Sequence, residues 1–296
     1  MDKKINNFGN IKIHENFELA KFSSFRIGGK ARFAAFPKNS NELISLIGTA
    51  TKSGIRHIVI GNASNVLFDS GYIDALIIFT RDMKSCKIEE NKIIAECGCS
   101  LSTLSVAARN NSLSGLEFAY GIPGTLGGAV YMNAGAYGGE ISDILFESTV
   151  YNVKDGKIST LSKKDHMFSY RKSIFSNKEL ILISSTLSMK KGEKEIISRT
   201  MSENMRKRTE KQPLEFPSAG SAFKRPQGMF AAELIEKSGL KGFSVNDAQI
   251  SDKHAGFIIN RGNANSDDVL LLIDKTIKTV KEKFGVVLEP EIIYIK

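Results

Sequence analysis

Phe118-Ala-Tyr-Gly121-Ile-Pro123-Gly124-Thr125-Leu-Gly127-Gly128-Ala-Val-Tyr-Met-Asn133-Ala-Gly135-Ala136-Tyr-Gly138 is the most glycine-dense part of the chain. Eight of the chain's 25 glycines fall between Gly115 and Gly139, a density that suits backbone brought close to a ligand. Successive N–H groups in such a segment can cradle a diphosphate. Thr125 and Asn133 add a hydroxyl and an amide. A tight loop without a ligand is the competing reading. So many glycines together with Thr and Asn favour contact with phosphate or flavin. A second candidate cradle, Gly61-Asn62-Ala63-Ser64-Asn65, stands at the end of a strand pattern. Alone it is an ordinary turn composition; paired with the first, one loop can hold a pyrophosphate while the other lies along an isoalloxazine. No G-x-G and no G-x-x-x-x-G-K-[ST] occurs, so the Rossmann and P-loop fingerprints are missing and a dinucleotide would need another fold.

Outward from these loops the pattern is α+β. Ser40 opens an amphipathic helix with Leu43, Ile44, Ile47 and Ala50 on one face and Gly54 as its stop. Ile55–Ile60 and Asp74–Phe79 read as strands, 83–97 as a hairpin around Glu89–Lys92, and Leu101–Asn110 as a helix. Residues 144–190 alternate as strands, with turns at Lys154–Gly156 and Ser176–Lys178; 193–208 is helical. Past the prolines of Gln212–Pro217, where a domain boundary is expected, come a helix (Met229–Lys237) and a strand (Ala255–Asn260). A long helix then runs from Ser266 to Gly285 with Val269, Ile273, Ile277, Val280 and Phe284 on one face, followed by a closing strand, Val286–Ile295.

The totals fit about two domains of a globular protein: 296 residues, 42% hydrophobic and 25% charged. No segment approaches the ~18 apolar residues of a membrane span, and the N-terminus lacks the apolar core of a signal peptide; a cytoplasmic protein is expected. The net charge of +9 is spread along the chain without aromatic interleaving, which points to small anions rather than nucleic acid. Three cysteines, with Cys97 and Cys99 flanking a glycine, imply no disulfide framework, and the histidines lack ligand spacing, so no metal is expected.

Seven motifs come in order: Ser24-Phe-Arg26-Ile-Gly28-Gly29, Gly61–Asn65, Gly121–Gly128, Met132-Asn-Ala-Gly-Ala-Tyr137, Ser169-Tyr170-Arg171-Lys-Ser-Ile-Phe175, Ala219-Gly-Ser221-Ala-Phe-Lys224 and Leu288-Glu-Pro-Glu291. From about residue 20 to the C-terminus this series resembles the UDP-N-acetylenolpyruvoylglucosamine reductase (MurB) family, in its shorter subtype without the extra tyrosine loop. The resemblance implies a vanillyl-alcohol-oxidase-type (PCMH-type) FAD-binding fold with a smaller C-terminal α+β substrate domain. It divides the chain into subdomain 1 (1–80, joined by 286–296), subdomain 2 (81–211) and a substrate domain (212–285). It also implies non-covalent FAD, NADPH as reductant, and reduction of an enolpyruvyl ether on a UDP-sugar to a lactyl ether for peptidoglycan synthesis. NADPH and the UDP-sugar would use one cavity in turn, with no separate NADPH domain, and a monomer is expected. The remaining alternative is another FAD-dependent oxidase or dehydrogenase of the same fold.

By the same resemblance, Arg26, Gly61, Asn62, Ala63, Ser64, Asn65, Gly121, Pro123, Gly124, Thr125, Gly127, Gly128, Asn133, Gly135 and Ala136 contact FAD. Arg171 matches the family arginine, whose guanidinium can grip a carboxylate bidentately. Ser221 matches the family's proton donor; so weak an acid serves only a strongly basic carbanion, and placement outweighs its pKa. Glu291 completes the catalytic set. In a regular strand Glu289 and Glu291 share a face, where a like charge favours the protonated acid, although Pro290 interrupts that regularity. Lys211 matches a family lysine near the UDP phosphates; Lys224, Arg225 and Tyr170 are further substrate candidates. The family often has Asn where Arg225 stands.

Overall fold

The structure, a computed structural model, describes residues 11–177 and 179–296. The N-terminal ten residues and Lys178, the last residue of the expected Ser176–Lys178 turn, lie outside the described residues. The described residues form two compact units: 11–15, 33–62 and 75–207, apart from Lys178, make the first, and 16–32, 63–74 and 208–296 the second. Residues 16–32 and 63–74 thus belong to the second unit, and 33–62 to the first.

In the first unit helix α1 (Ser40–Lys52) starts where expected and is capped by Asn39. The Asn39 side chain accepts the Glu42 N–H, and Glu42 in turn accepts the Lys38 N–H at 2.8 Å. Its buried face is Leu43, Leu46, Ile47 and Ala50, with Leu46 in the place expected for Ile44. The parallel pair His57–Ile60 and Leu76–Phe79 follows the expected strands. A five-stranded antiparallel sheet takes the order Ile158–Ser162, Leu145–Asn152, Leu180–Ser188, Lys92–Glu96, Cys86–Glu89. Helices α2 (Leu101–Asn110), α3 (Leu126–Met132), the single turn α4 (Ile141–Ile144) and α5 (Lys194–Lys211, whose end from Arg208 belongs to the second unit) complete it. Leu76, Ile93, Leu104, Leu126, Val130 and Leu187 share its core.

The second unit is built on an antiparallel sheet in the order Ser218–Ser221, Phe257–Asn260, Ala248–Ile250, Ser244–Val245. Helix α6 covers Ala231–Lys237, two residues shorter than expected: Phe230 is its N-cap in an extended conformation, and Met229 precedes it. Helix α7 (Ser266–Phe284) begins with a reciprocal capping box between Asn265 and Asp268 and ends at Gly285 in a left-handed conformation. It buries Val269, Leu272, Ile273 and Val280, whereas Phe284, expected on the same face, is exposed. The closing strand is shorter than expected, Ile293–Ile295, since Pro290 cannot donate to a ladder. It pairs in parallel with Val66–Phe68. That pairing, and the burial of Phe25, Ile27 and Leu67 in one cluster with Phe223, Ile235, Ile258 and Val269, draw the two early segments into this unit. Each such side chain contributes about 1.5–3 kcal/mol on full burial.

Candidate active site

The glycine-rich segment holds itself together through its main chain. Thr125 caps α3 by accepting the Gly128 N–H, the Leu126 N–H donates to Cys99 O at 2.8 Å, and the Gly127 N–H donates to Cys97 O at 2.7 Å. These amides are engaged within the protein. Gly127 is needed for packing: a Cβ there would lie 3.1 Å from Cys97 Cβ. Cys97 and Cys99 are buried, and desolvation pushes both thiols up to about 12, so they are inert backbone supports rather than nucleophiles. Among the described residues no group of His, Cys, Asp and Glu is placed to hold a metal.

The second loop meets the first at Thr125. A Cβ on Gly61 would sit 2.1 Å from Thr125 Oγ1, and Asn62 Nδ2 donates to Pro123 O at 3.0 Å. Beneath this junction Thr125 and Leu126 are buried, while Asn62, Ile122, Pro123, Gly124 and Gly128 keep accessible surface. A Cβ on Gly128 would meet nothing nearer than 3.8 Å. A shelf of bare backbone therefore faces outward, which a flat ring can approach closely; the residues present fit a flavin. Gly135 and Ala136 pair with Gly139–Glu140 through a two-residue turn whose Tyr137 and Gly138 both have positive φ, a local requirement of the hairpin.

Arg171 stands in the first unit at the tip of a tight turn. Ser169 and Lys172 exchange both backbone hydrogen bonds at 3.1 Å, and Arg171 has φ 55°. A non-glycine residue in the left-handed region is uncommon and is held there by its surroundings. The guanidinium carbon lies 5.1 Å from the centroid of the half-exposed Tyr170 ring, and Nη2 donates to Gly135 O at 3.4 Å. Asn133 is 1% exposed; its amide is engaged with Ser169 O and the Ser142 N–H, and so supports this turn rather than facing outward.

Ser221 and Glu291 stand in the second unit. Between Ser218↔Ile259 and Ser221↔Phe257 the strand carries an extra residue, with Gly220 at φ 75°. This bulge re-aims the strand and leaves Ser221 exposed while Ala219, Ala222 and Phe223 are buried. The Glu291 N–H donates to Ala222 O and the Lys224 N–H to Glu289 O, both at 2.8 Å, around the Phe223–Pro290 bridge. Ser221 and Glu291 thus flank one backbone junction. Glu289 pairs with Lys224, so the like charge expected to act on Glu291 is offset. Asn65, expected at FAD, donates from Nδ2 to Glu291 O at 3.0 Å. Ala63 has φ 48°, and its carbonyl accepts from Ser24 N and Oγ. Arg26 is exposed, with φ 55°, and lines a cleft of about 360 Å³ with Ala20, Lys21 and Ser23. The Arg225 guanidinium stacks on Phe230 at 4.6 Å, and Lys211 ends α5 exposed. The bulge and the Asn65–Glu291 bond escaped the sequence reading; Gly220 between small residues was the signal for the first.

Residues 212–295 match the family model described as UDP-N-acetylenolpyruvoylglucosamine reductase, C-terminal domain, and residues 31–162 the one described as FAD binding domain. The chain is 50% identical to the UDP-N-acetylenolpyruvoylglucosamine reductase of Caldicellulosiruptor saccharolyticus, over 97% of this chain and 93% of that protein. It belongs to the UDP-N-acetylenolpyruvoylglucosamine reductase family. The Clostridium novyi member is 45% identical over 95% of this chain and 91% of its own length. The crystal structure of the Thermus caldophilus member superposes with a TM-score of 0.81 at 33% identity, covering 97% of this chain and 99% of that one. The expected vanillyl-alcohol-oxidase-type FAD-binding fold with a C-terminal α+β domain is the fold found, and the chain is an FAD-containing oxidoreductase of this family. Among the described residues no helix is long and apolar enough to cross a membrane.

Proposed function

We propose that this chain reduces the enolpyruvyl ether of UDP-N-acetyl-3-O-(1-carboxyvinyl)-glucosamine to the lactyl ether of UDP-N-acetylmuramate, using NADPH, in the cytoplasmic synthesis of peptidoglycan precursors. The observation that carries this reading is the placement of the three family residues. Arg171 is held at a strained turn tip, and Ser221 and Glu291 flank a bulged junction, in a chain matching its relatives end to end. The chemistry that bound FAD would supply is transfer of a hydride equivalent between the nicotinamide and the enol ether.

Gly61, Asn62, Gly121, Pro123, Gly124 and Gly128 offer the backbone shelf for the flavin, with Arg26, Ala63 and Ser64 as further contacts. Arg171 grips the substrate carboxylate, into which the charge growing on the neighbouring carbon delocalises. Ser221 Oγ–H delivers the proton to that carbon, which completes the saturated ether. Glu291, fixed through its main chain by Asn65 and Ala222, provides the acid group beside Ser221. Lys211, Lys224, Arg225 and Tyr170 serve UDP-sugar binding, residues 212–285 acting as the substrate domain. Purified protein mixed with NADPH and the UDP-enolpyruvyl sugar is expected to oxidise the nicotinamide and yield the lactyl ether, and heat denaturation to release flavin into the supernatant. Flavin that stays attached, or no oxidation beyond that without sugar, favours a different flavoenzyme of this fold.

A further inference from the structure

We propose that Asn133 is a positioning residue for Arg171, the joint through which α3 sets the guanidinium. Asn133 ends α3 at φ 42° and ψ 55°, the left-handed region that asparagine tolerates better than most side chains. Its side chain turns inward. Oδ1 accepts the Ser142 N–H at 2.9 Å, and Nδ2 donates to Ser169 O at 3.3 Å. Ser169 opens the two-residue turn that carries Tyr170 and Arg171. Two more bonds fasten the same segment to the end of α3. Ser173 Oγ donates to Tyr131 O at 2.7 Å, and Arg171 Nη2 donates to Gly135 O. Ser173, like Asn133, is buried. The segment Ser169–Ser173 is therefore clasped at three points to the residues that follow the glycine loop. Asn133 supplies the clasp nearest the entry of the turn, and α3, capped at its other end by Thr125, serves as the strut.

This inference rests on the proposed role of Arg171. A guanidinium displaced by about 1 Å loses about 10²-fold in rate when it acts on a developing charge, so a loosened turn slows enol ether reduction without touching reduction of the flavin. The decisive variant is Asn133→Gly, which keeps the left-handed backbone and removes the side chain. In the FAD-loaded enzyme it is expected to lower kcat/KM for the UDP-enolpyruvyl sugar ~10–100-fold. Flavin reduction by NADPH and FAD affinity followed by fluorescence stay near wild type, while the melting temperature falls by a few degrees because two buried hydrogen bonds are lost. Placed in an Arg171→Lys background it adds less than about twofold, because both changes act through one group.

A purely structural role gives the opposite set: FAD affinity falls, both half-reactions slow together, and the loss multiplies in full with Arg171→Lys. That set, or wild-type kinetics in Asn133→Gly, overturns the proposal. Should Asn133→Gly not fold, Ser173→Ala loosens the same segment and is expected to show the same split at a few-fold size; its absence there overturns the proposal equally. Full turnover in Arg171→Lys alone defeats instead the reading on which the inference rests.

Discussion

The glycine-rich segment of the first unit and the Ser221–Glu291 junction of the second organise their chemistry in opposite ways. The first uses main chain: Leu126 and Gly127 donate to the Cys97–Cys99 loop, and Thr125 fits against Gly61 where no Cβ can stand. The second uses single side chains placed by a bulge and by the hydrogen bonds of Ala222, Lys224 and Asn65. A backbone surface tolerates the loss of any one polar group but not added volume. A site of isolated side chains tolerates modest repacking but not the loss of one functional atom.

Breaking the contrast most strongly is Arg171→Ala, which removes the side chain proposed to grip the substrate carboxylate. It is expected to retain FAD and accept electrons from NADPH, while enol ether reduction falls ~10²–10³-fold, as the two half-reactions measured separately would report. Gly61→Val tests the main-chain region by volume instead. Its Cβ falls within 2.1 Å of Thr125 Oγ1, so flavin is lost on gel filtration and stability drops by about 1–3 kcal/mol; a variant that keeps its colour contradicts the close approach of the two loops.

The two regions also differ in how far they were legible in the amino-acid sequence. Glycine density announced the first, because glycine is the residue that close backbone approach demands. Yet it did not say which glycines face a ligand: Gly127 packs on Cys97, and Tyr137–Gly138 simply turns a hairpin. The elements behind it were readable where periodicity and caps agree, as in α1, α2 and α7. Element ends moved where local geometry decided them: Pro290 shortened the closing strand, and the extended Phe230 holds Met229 and itself outside α6. The second region left almost no compositional trace. Ser221 is one serine among many, and only the ordered series of motifs singled it out. Its bulge depends on pairing with Phe257 and Ile259, far away in the sequence. Likewise, Val66–Phe68 joins the C-terminal strand through a pairing no local window contains.

Smaller effects sharpen the contrast. Asn65→Ala removes the bond to Glu291 O and is expected to cost about 1 kcal/mol in denaturant unfolding, with a larger change in turnover than in FAD affinity. Glu289→Gln breaks an ion pair whose carboxylate side is largely exposed, and should change stability by less than about 1 kcal/mol. The least local is pH. His166, fully buried between Ser162 O and Ser148 Oγ, is held below its usual pKa by desolvation. The unfolded chain therefore takes up the proton first, and stability falls as pH drops below about 6.5. His166→Gln is expected to flatten that slope in unfolding curves between about pH 7.5 and pH 5.5.

The most direct measurement uses the Ser221→Ala holoenzyme. After reduction by NADPH it is mixed rapidly with the UDP-enolpyruvyl sugar, and flavin absorbance is followed. Reduction at the wild-type rate and reoxidation slowed ~10²–10³-fold are expected if a backbone-built flavin site is served by a single hydroxyl elsewhere in the chain. Reoxidation at the wild-type rate would contradict the account.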